Sequence, residues 1–241
     1  MKKTTTFDKI VLNVPHSSIE RYGDGWNGEF NMFPLVKIWT DWHTDKLFAP
    51  NREMGGSVKM VRFPYSRFFC DVERLLFNEP LETIGQGILY SEFDGFTRTL
   101  TAEERAAIIS EYYIPHIDKL REEIAKGEDV LLIDCHSFPS HLSDVDVCIG
   151  FNEDWSKPSD KVIEMVHNRF SAWGYKVAVN EPYSNSISPA MYRKEYSSLM
   201  IEVNKGAYMN EETLELDKKG FEIIQRIISG IYLSLLGTEC Q

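Results

Sequence analysis

The sequence predicts an α/β fold, in which helices cover both faces of a β-sheet. Short β-branched or apolar runs alternate along the chain with longer segments of helical period. One run, at residues 130–135, is apolar at almost every position, which is typical of a strand buried on both faces. We therefore expect the sheet to be the middle layer, with this strand at its centre.

The strands are predicted from β-branched and alternating runs. Residues 10–14 end at Pro15, which lacks the amide hydrogen that a ladder needs. Residues 57–63 alternate polar and apolar side chains, which indicates a strand with one wetter face. Further strands are predicted at residues 68–72, 130–135, 145–149, 175–179 and 199–203.

Four helical segments connect these strands. The spacing of apolar residues predicts a first helix over residues 37–48. Thr101 and Glu104 have the spacing of a capping box and begin a helix that reaches Lys126, which Pro115 should kink or split. The remaining helices are predicted at residues 159–173, ended by Gly174, and at about residues 211–236.

The composition is that of an ordinary soluble protein. The 241 residues are 43% hydrophobic and 26% charged. This composition predicts a single domain that spans residues 1–241. The net charge of −11, without a basic cluster, argues against nucleic acid and anionic membranes as partners. The four cysteines form no CxxC pair and are interpreted as buried reduced thiols. With neither signal peptide nor spanning segment predicted, a cytoplasmic location is expected, and the oligomeric state stays open.

Two histidines follow predicted strands. His16 follows the first strand, and His136 follows the central strand. If these strands are neighbours, the two imidazoles meet at one end of the sheet, where open α/β sheets bind their ligands. Imidazole is a preferred ligand of Zn²⁺, so we predict one Zn²⁺, or another divalent transition metal, per chain. The alternative is a structural role for each histidine.

An acidic third ligand is expected from residues 40–45. Asp41 and Asp45 are four residues apart, so on the predicted helix they would share one face. One would bind the metal, and the other would orient a histidine. The alternative is a solvated acidic face near the start of the helix.

Arg67 and Arg74 interrupt an apolar stretch that also contains Asp71 and Glu73. Buried arginines need carboxylate partners, which are either these two acids or the carboxylates of a substrate. Glu202 likewise interrupts an apolar strand. Burial should raise the pKa of its carboxyl group and suit it to act as a general base, unless Lys205 pairs with it.

Five short blocks occur in a fixed order, and together they resemble the N-formylglutamate amidohydrolases. They are Pro-His-Ser at residues 15–17, Thr-Asp-Trp-His-Thr-Asp at residues 40–45, Ser-Arg at residues 66–67 leading to Asp-Val-Glu-Arg at residues 71–74, Asp-Cys-His-Ser-Phe-Pro at residues 134–139, and Met-Ile-Glu-Val-Asn at residues 200–204. The resemblance implies a zinc-carboxypeptidase-like fold, a three-layer sandwich with a mixed, mainly parallel central sheet. It also implies hydrolysis of N-formyl-L-glutamate to formate and L-glutamate, a step of histidine degradation.

The resemblance also implies roles for single residues. His16 and His136 correspond to the histidine ligands, Asp45 or Asp41 to the acidic ligand, and Glu202 to the glutamate that activates water. Arg74, with Arg67 as a second candidate, corresponds to the arginine that binds a substrate carboxylate. Glu73 stands where many relatives have asparagine, and an acid facing the pocket there would repel an anionic substrate.

Three alternative functions stay open at this point. The first is a related metallohydrolase acting on another N-acyl amino acid or a small peptide. The second is a catalytically inactive protein of the same fold that binds dicarboxylates without metal. The third is a hydrolase with Cys135 as nucleophile beside His136, which the opposite directions of adjacent strand residues disfavour.

Overall fold

A computed structural model describes residues 4–54, 56–192 and 194–238. Its main sheet has six strands in the order β2-β1-β5-β8-β6-β7. The strands of this sheet are β1 (Lys9–Val14), β2 (Val58–Arg62), β5 (Val130–Phe138), β6 (Val147–Gly150), β7 (Val177–Val179) and β8 (Ser197–Asn204). A separate two-stranded hairpin consists of β3 (Glu92–Phe93) and β4 (Phe96–Thr97).

The sheet is mixed and mainly parallel. All neighbouring strands run parallel except β6 and β8, which pair antiparallel. Strand β5 lies between β1 and β8 and is buried at all nine residues. The predicted central strand is therefore confirmed, and it extends to Phe138, so that His136 lies within the strand and not after it.

The helices are α1 (Glu29–Trp39), α2 (Thr44–Leu47), α3 (Ala102–Ile108), α4 (Ile114–Ala125), α5 (Asp160–Ser171) and α6 (Lys218–Leu235). The side chains of α5 and α6 pack with one face of the sheet, and those of α4 pack with the other. The predicted three-layer α/β architecture is confirmed. Strand alternation divides β5 between these layers, with Ile133 and Cys135 on the first face and Leu132 on the second.

Two predictions near the start of the chain are wrong. The helix predicted over residues 37–48 is broken, because α1 ends at Trp39 and α2 begins only at Thr44. His43 lies between them with φ of 64°, a left-handed conformation that a continuous helix cannot contain. The segment at residues 68–72 forms turns, in which the Phe69 and Cys70 amides donate to the Ser66 carbonyl.

The other helix predictions are confirmed, with one shifted boundary. Thr101 and Glu104 form the predicted capping box at the start of α3. A π-helical segment, Ile109–Tyr113, separates α3 from α4 directly before Pro115, which has no amide hydrogen to continue the helical pattern. The final helix begins later than predicted, at Lys218, where the Asp217 carboxylate accepts from the Lys219 amide.

Cys70, Cys135 and Cys148 are buried free thiols, as predicted, and Cys240 lies outside the described residues. Within the described ranges, no helix is both long enough and apolar enough to cross a membrane.

Candidate active site

The site lies at the carboxyl ends of β1, β5 and β8. His16 follows β1 by two residues, while His136 of β5 and Glu202 of β8 are direct neighbours in the parallel register. Because β1 and β5 are adjacent, the rings of His16 and His136 come together, with centroids 5.2 Å apart. The sheet order thus produces the meeting of imidazoles that the sequence predicted.

The Nδ1 atoms of both histidines face the Asp41 carboxylate. Asp41 Oδ2 lies 2.9 Å from His136 Nδ1 and 3.9 Å from His16 Nδ1. All three side chains are buried, and His16 Nδ1 has no hydrogen-bond partner within the described part of the chain. Their ligand atoms lie within 4.8 Å of one another, a spacing that one metal ion could bridge. Two imidazoles and a carboxylate form a donor set that zinc accepts.

Asp45 does not belong to this group. It lies in α2, where its carboxylate is 3.5 Å from Arg62 Nε and partly exposed. The prediction that Asp41 and Asp45 share a helical face is wrong, because Asp41 precedes the helix. The Asp41 amide instead donates to the His16 carbonyl, at 3.0 Å, and this bond ties the two loops together. Of the two aspartates, only Asp41 is in place to complete the group.

The Nε2 atoms of the histidines face a second set of carboxylates. His16 Nε2 lies 2.9 Å from Asp71 Oδ1. His136 Nε2 lies 2.9 Å from Glu73 Oε2 and 3.2 Å from Asp134 Oδ1. A carboxylate beside Nε2 fixes the orientation of an imidazole whose Nδ1 binds a metal. In this structure His136 Nδ1 donates a hydrogen bond to Asp41 Oδ2, and that proton would have to leave when a metal binds. This arrangement orients both Nδ1 atoms toward Asp41.

Sequence reasoning missed three members of this outer group. Asp134 Oδ1 accepts a hydrogen bond from Asn13 Nδ2 at 2.8 Å, and Glu73 Oε1 accepts from the same amide at 3.3 Å. His116 of α4 donates from Nε2 to Asn13 Oδ1 at 2.9 Å. One signal for Asp134 was present, since a residue two positions before His136 in a strand shares its face. Nothing local indicated Asn13 or His116.

Burial shifts the proton affinities of the site. It raises the pKa of Glu202 to about 7, with the Asp41 charge adding to the rise and His136 opposing it. Burial and the Asp134 charge together raise the pKa of Glu73 to about 8. Burial opposes the protonation of His136, but the Glu73 and Asp134 carboxylates outweigh it and hold its pKa well above the usual range. The raised pKa expected for Glu202 is confirmed.

Glu202 is not neutralised by a close lysine. Its Oε2 atom is buried without a hydrogen-bond partner among the residues described. Lys205, the alternative partner, donates from Nζ to the Ile38 carbonyl at 2.5 Å. The Glu202 carboxylate therefore faces the cavity with one oxygen available to a substrate or to water.

Arg67 and Arg74 both pair with Asp71. Their Nη2 atoms each lie 3.4 Å from Asp71 Oδ2, which also accepts a hydrogen bond from the Tyr90 hydroxyl at 2.6 Å. The internal ion-pair network is therefore present. Both arginines also line a cavity of about 460 Å³, together with Asp41, Glu73, His136, Glu202 and Lys205. The network orients the guanidinium groups without removing them from the cavity, so the substrate-binding interpretation stays a prediction beside the ion-pair network.

Cys135 is badly placed to act as a nucleophile. It packs in the apolar core on the face of β5 opposite His136. Burial raises the pKa of its thiol well above the usual range, which suppresses the reactive thiolate.

Comparison with known proteins places the chain in a family. The family model of the N-formylglutamate amidohydrolases matches residues 8–209. The chain belongs to this family. The match includes every residue discussed above as a candidate ligand, base or substrate-binding arginine. An N-formylglutamate deformylase of Pseudomonas putida is 30% identical over 147 residues, which are 55% of this chain and 53% of the relative.

The chain thus spans about half the length of that curated relative. Two solved structures share the fold of the present chain. An N-formylglutamate amidohydrolase of Ralstonia eutropha JMP134 has a TM-score of 0.77 at 21% identity, covering 97% of this chain and 94% of its own. A gene product of Agrobacterium tumefaciens has a TM-score of 0.62 at 17% identity, covering 93% and 92%.

Proposed function

We propose that this chain is a zinc-dependent amidohydrolase that hydrolyses N-formyl-L-glutamate to formate and L-glutamate. The observation that carries the proposal is the convergence of two imidazole Nδ1 atoms and the Asp41 carboxylate beside Glu202, whose Oε2 has no hydrogen-bond partner within the described residues. Membership of the N-formylglutamate amidohydrolase family supports the choice of substrate. We propose that this reaction is a step of histidine degradation, as the family resemblance implies.

The residues present fit a zinc ion. His16, Asp41 and His136 would hold it, and three protein ligands are the usual number when one position is kept for water or substrate. His16 Nδ1 is buried without a hydrogen-bond partner in the described ranges, so its lone pair would be free to coordinate a cation. Bound there, Zn²⁺ supplies a Lewis acid that polarises the amide carbonyl and makes water more acidic.

Glu202 is proposed as the general base. Its pKa of about 7 makes a large fraction of the carboxylate available to accept a proton at neutral pH. It takes one proton from the attacking water, whose oxygen forms a bond to the formyl carbon. It then returns that proton to the amine nitrogen as the carbon–nitrogen bond breaks, and formate and glutamate leave.

Arg67 and Arg74 are proposed to bind the substrate carboxylates. A guanidinium group matches a carboxylate with two parallel hydrogen bonds. Asp71 pairs with both guanidinium groups and restricts their motion. The arginine side chains therefore lose less conformational entropy when the substrate binds. Their role is to position the formyl group beside Glu202.

The test is an assay of formate release by the purified protein. We expect release from N-formyl-L-glutamate, loss of activity with a chelator, and recovery with Zn²⁺. N-formyl-L-methionine, which lacks the second carboxylate, should be a much poorer substrate. Metal analysis after purification without chelator tests the inactive alternative. Less than about half an equivalent of metal, together with no turnover after zinc addition, would overturn the proposal.

A further inference from the structure

We propose that Tyr183 is a further catalytic residue of the site, and that its hydroxyl donates a hydrogen bond to the oxygen of the formyl group during hydrolysis. This inference rests on the proposed amidohydrolase function and leaves its substrate unchanged. It assigns a task to a polar group of the site cavity that the proposed mechanism does not use.

Tyr183 lies in the loop that joins β7 to β8 and lines the same cavity as His136 and Glu202. Its side chain is half-buried, and its hydroxyl forms no hydrogen bond with the residues that the structure describes. Tyr90, which lines the same cavity, instead donates to Asp71 at 2.6 Å. Tyr183 therefore offers the cavity a hydrogen-bond donor that the described part of the fold does not use.

The backbone of Tyr183 is fixed beside Glu202. Cys148 of β6 stands directly opposite Glu202 in the antiparallel β6–β8 pair, so the two side chains share the face of the sheet that carries the site. The Cys148 thiol donates a hydrogen bond to the Tyr183 carbonyl at 3.1 Å. Cys148 thus ties Tyr183 to the strand position next to the proposed general base.

The aromatic ring of Tyr183 contacts Phe138, with ring centroids 5.9 Å apart. Phe138 lies two residues beyond His136 on the same face of β5, and it also lines the cavity. The ring is therefore held at the end of the cavity that carries His136 and Glu202. Both its backbone and its ring are anchored, so the hydroxyl has a defined position.

The charged surroundings of the hydroxyl agree with this position. Burial raises the pKa of Tyr183 to about 12, with the charges of Glu202 and Asp41 adding to the rise and Arg67 opposing it. The proposed base and a proposed metal ligand are thus close enough to act on the phenol. At neutral pH the phenol keeps its proton and is available as a hydrogen-bond donor.

The sheet order indicates which part of the substrate Tyr183 reaches. Both substrate-binding arginines pair with Asp71, which also contacts His16, so they lie on the β1 side of the site. Tyr183 is tied to β6, on the opposite side of Glu202. A substrate whose carboxylates face the arginines has its formyl group between Glu202 and Tyr183.

The reaction develops negative charge on the formyl oxygen. When the water oxygen bonds to the formyl carbon, an electron pair of the carbonyl group moves onto that oxygen. A fixed donor stabilises this charge more than it stabilises the neutral carbonyl of the substrate. The electron pair returns as the carbon–nitrogen bond breaks, Glu202 supplies the proton of the leaving amine, and Tyr183 keeps its own proton throughout.

The test is Tyr183→Phe, which removes the hydroxyl and keeps the ring that contacts Phe138. We expect kcat for N-formyl-L-glutamate to fall about 10²- to 10³-fold, the usual effect of losing one such donor. KM should change by less than about twofold, because the bond strengthens only as charge develops. Zinc content should not change. Tyr192→Phe is the control, since Tyr192 is in the same loop, is 84% exposed and does not line the site cavity.

A binding measurement distinguishes a bond to the formyl oxygen from a bond to a carboxylate. N-phosphono-L-glutamate carries charged tetrahedral oxygens in place of the formyl group, whereas L-glutamate has both carboxylates and no acyl oxygen. Calorimetry with the zinc-loaded protein gives both Kd values. Tyr183→Phe should weaken binding of the phosphono compound at least about tenfold and leave the Kd of L-glutamate unchanged.

Equal kcat values for the wild type and Tyr183→Phe would overturn the inference. A higher KM at unchanged kcat, or weaker binding of L-glutamate, would overturn it too, because the hydroxyl would then contact a carboxylate. These outcomes leave the proposed function intact. Failure of the wild-type protein to hydrolyse N-formyl-L-glutamate would instead contradict the proposed function, and this inference with it.

Discussion

The amino and carboxyl ends of strands β1 and β5 differ in their ratio of acidic to basic side chains. At the amino end, Lys9 of β1 pairs with Glu123 of α4 at 2.8 Å, and Lys126 adds a second contact to the same carboxylate. At the carboxyl end, the acids outnumber the bases. The acids there are Asp41, Asp71, Glu73, Asp134 and Glu202, and the basic side chains are Arg67, Arg74 and Lys205.

This difference separates a structural pair from the site that we propose binds a cation. Each unpaired carboxylate in a buried position costs free energy, so an excess of buried acids destabilises the folded state. Without metal, the folded protein relieves the excess by binding protons, as the raised pKa values of Glu73, Glu202 and His136 indicate. A divalent cation would replace those protons. The amino end needs no such ligand.

The largest effect is expected from Glu202→Gln. The amide cannot accept the proton from water, and turnover should fall about 10²- to 10⁴-fold, the usual contribution of a general base. Metal content should stay unchanged, because Glu202 is not one of the three proposed ligands. Glu123→Gln, at the other end of the sheet, is the control and should keep its turnover. Activity of Glu202→Gln within a few-fold of the wild type would assign the base to another residue.

The second prediction separates the two aspartates of residues 40–45. Asp41→Asn removes the charged ligand between the two Nδ1 atoms, so zinc affinity should fall by at least about a hundredfold, more than outer partners contribute. Asp45→Asn loses only the contact with Arg62 and should bind zinc normally. Competition with a chromophoric chelator measures both constants. Equal losses in the two variants would contradict the choice of Asp41.

The third prediction concerns Asn13, which acts only through its neighbours. Asn13→Leu removes the amide that donates to Asp134 and Glu73, so the carboxylates behind His136 lose their orientation. Zinc affinity should weaken about 10- to 100-fold. Lys9→Met, four residues earlier in the same strand, should change thermal stability but not zinc affinity. The idea fails if both variants bind zinc like the wild type.

The fourth prediction is a pH dependence of the metal-free protein. Glu73 and His136 have folded-state pKa values above their unfolded values, so the folded state holds extra protons above pH 6.5. Stability from these groups is present at lower pH and is lost as pH rises toward 8. Each extra bound proton corresponds to about 1.4 kcal/mol per pH unit, so the free energy of unfolding should fall by about 2 kcal/mol for each such proton between pH 6.5 and 8.

Urea unfolding in the presence of a chelator measures this slope. Glu73→Gln should flatten it, whereas Glu123→Gln should not. His16 and His116 act in the opposite sense only below pH 6.5, because burial lowers their pKa values to about 4. If the free energy of unfolding rises between pH 6.5 and 8, Glu73 and His136 do not bind the extra protons in the folded state.

The sequence predicted most of the strands and the candidate residues because their signals are local. The apolar run of β5, the capping box at Thr101 and the histidines at strand ends are visible within short windows. The choice between Asp41 and Asp45 was not visible, since it depends on the left-handed turn at His43 and on the bond from Asp41 to the His16 carbonyl. Asn13 and His116 were missed for the same reason.

The sequence by itself determined which side chains are available and which stretches form strands, because periodicity and side-chain chemistry are properties of neighbouring residues. The tertiary structure decided which of those side chains meet. Asn13, Asp134 and Glu202 are more than sixty residues apart in the chain, and the strand order β1-β5-β8 places them on three neighbouring strands. Strand order depends on packing of the whole sheet, and no local pattern encodes it.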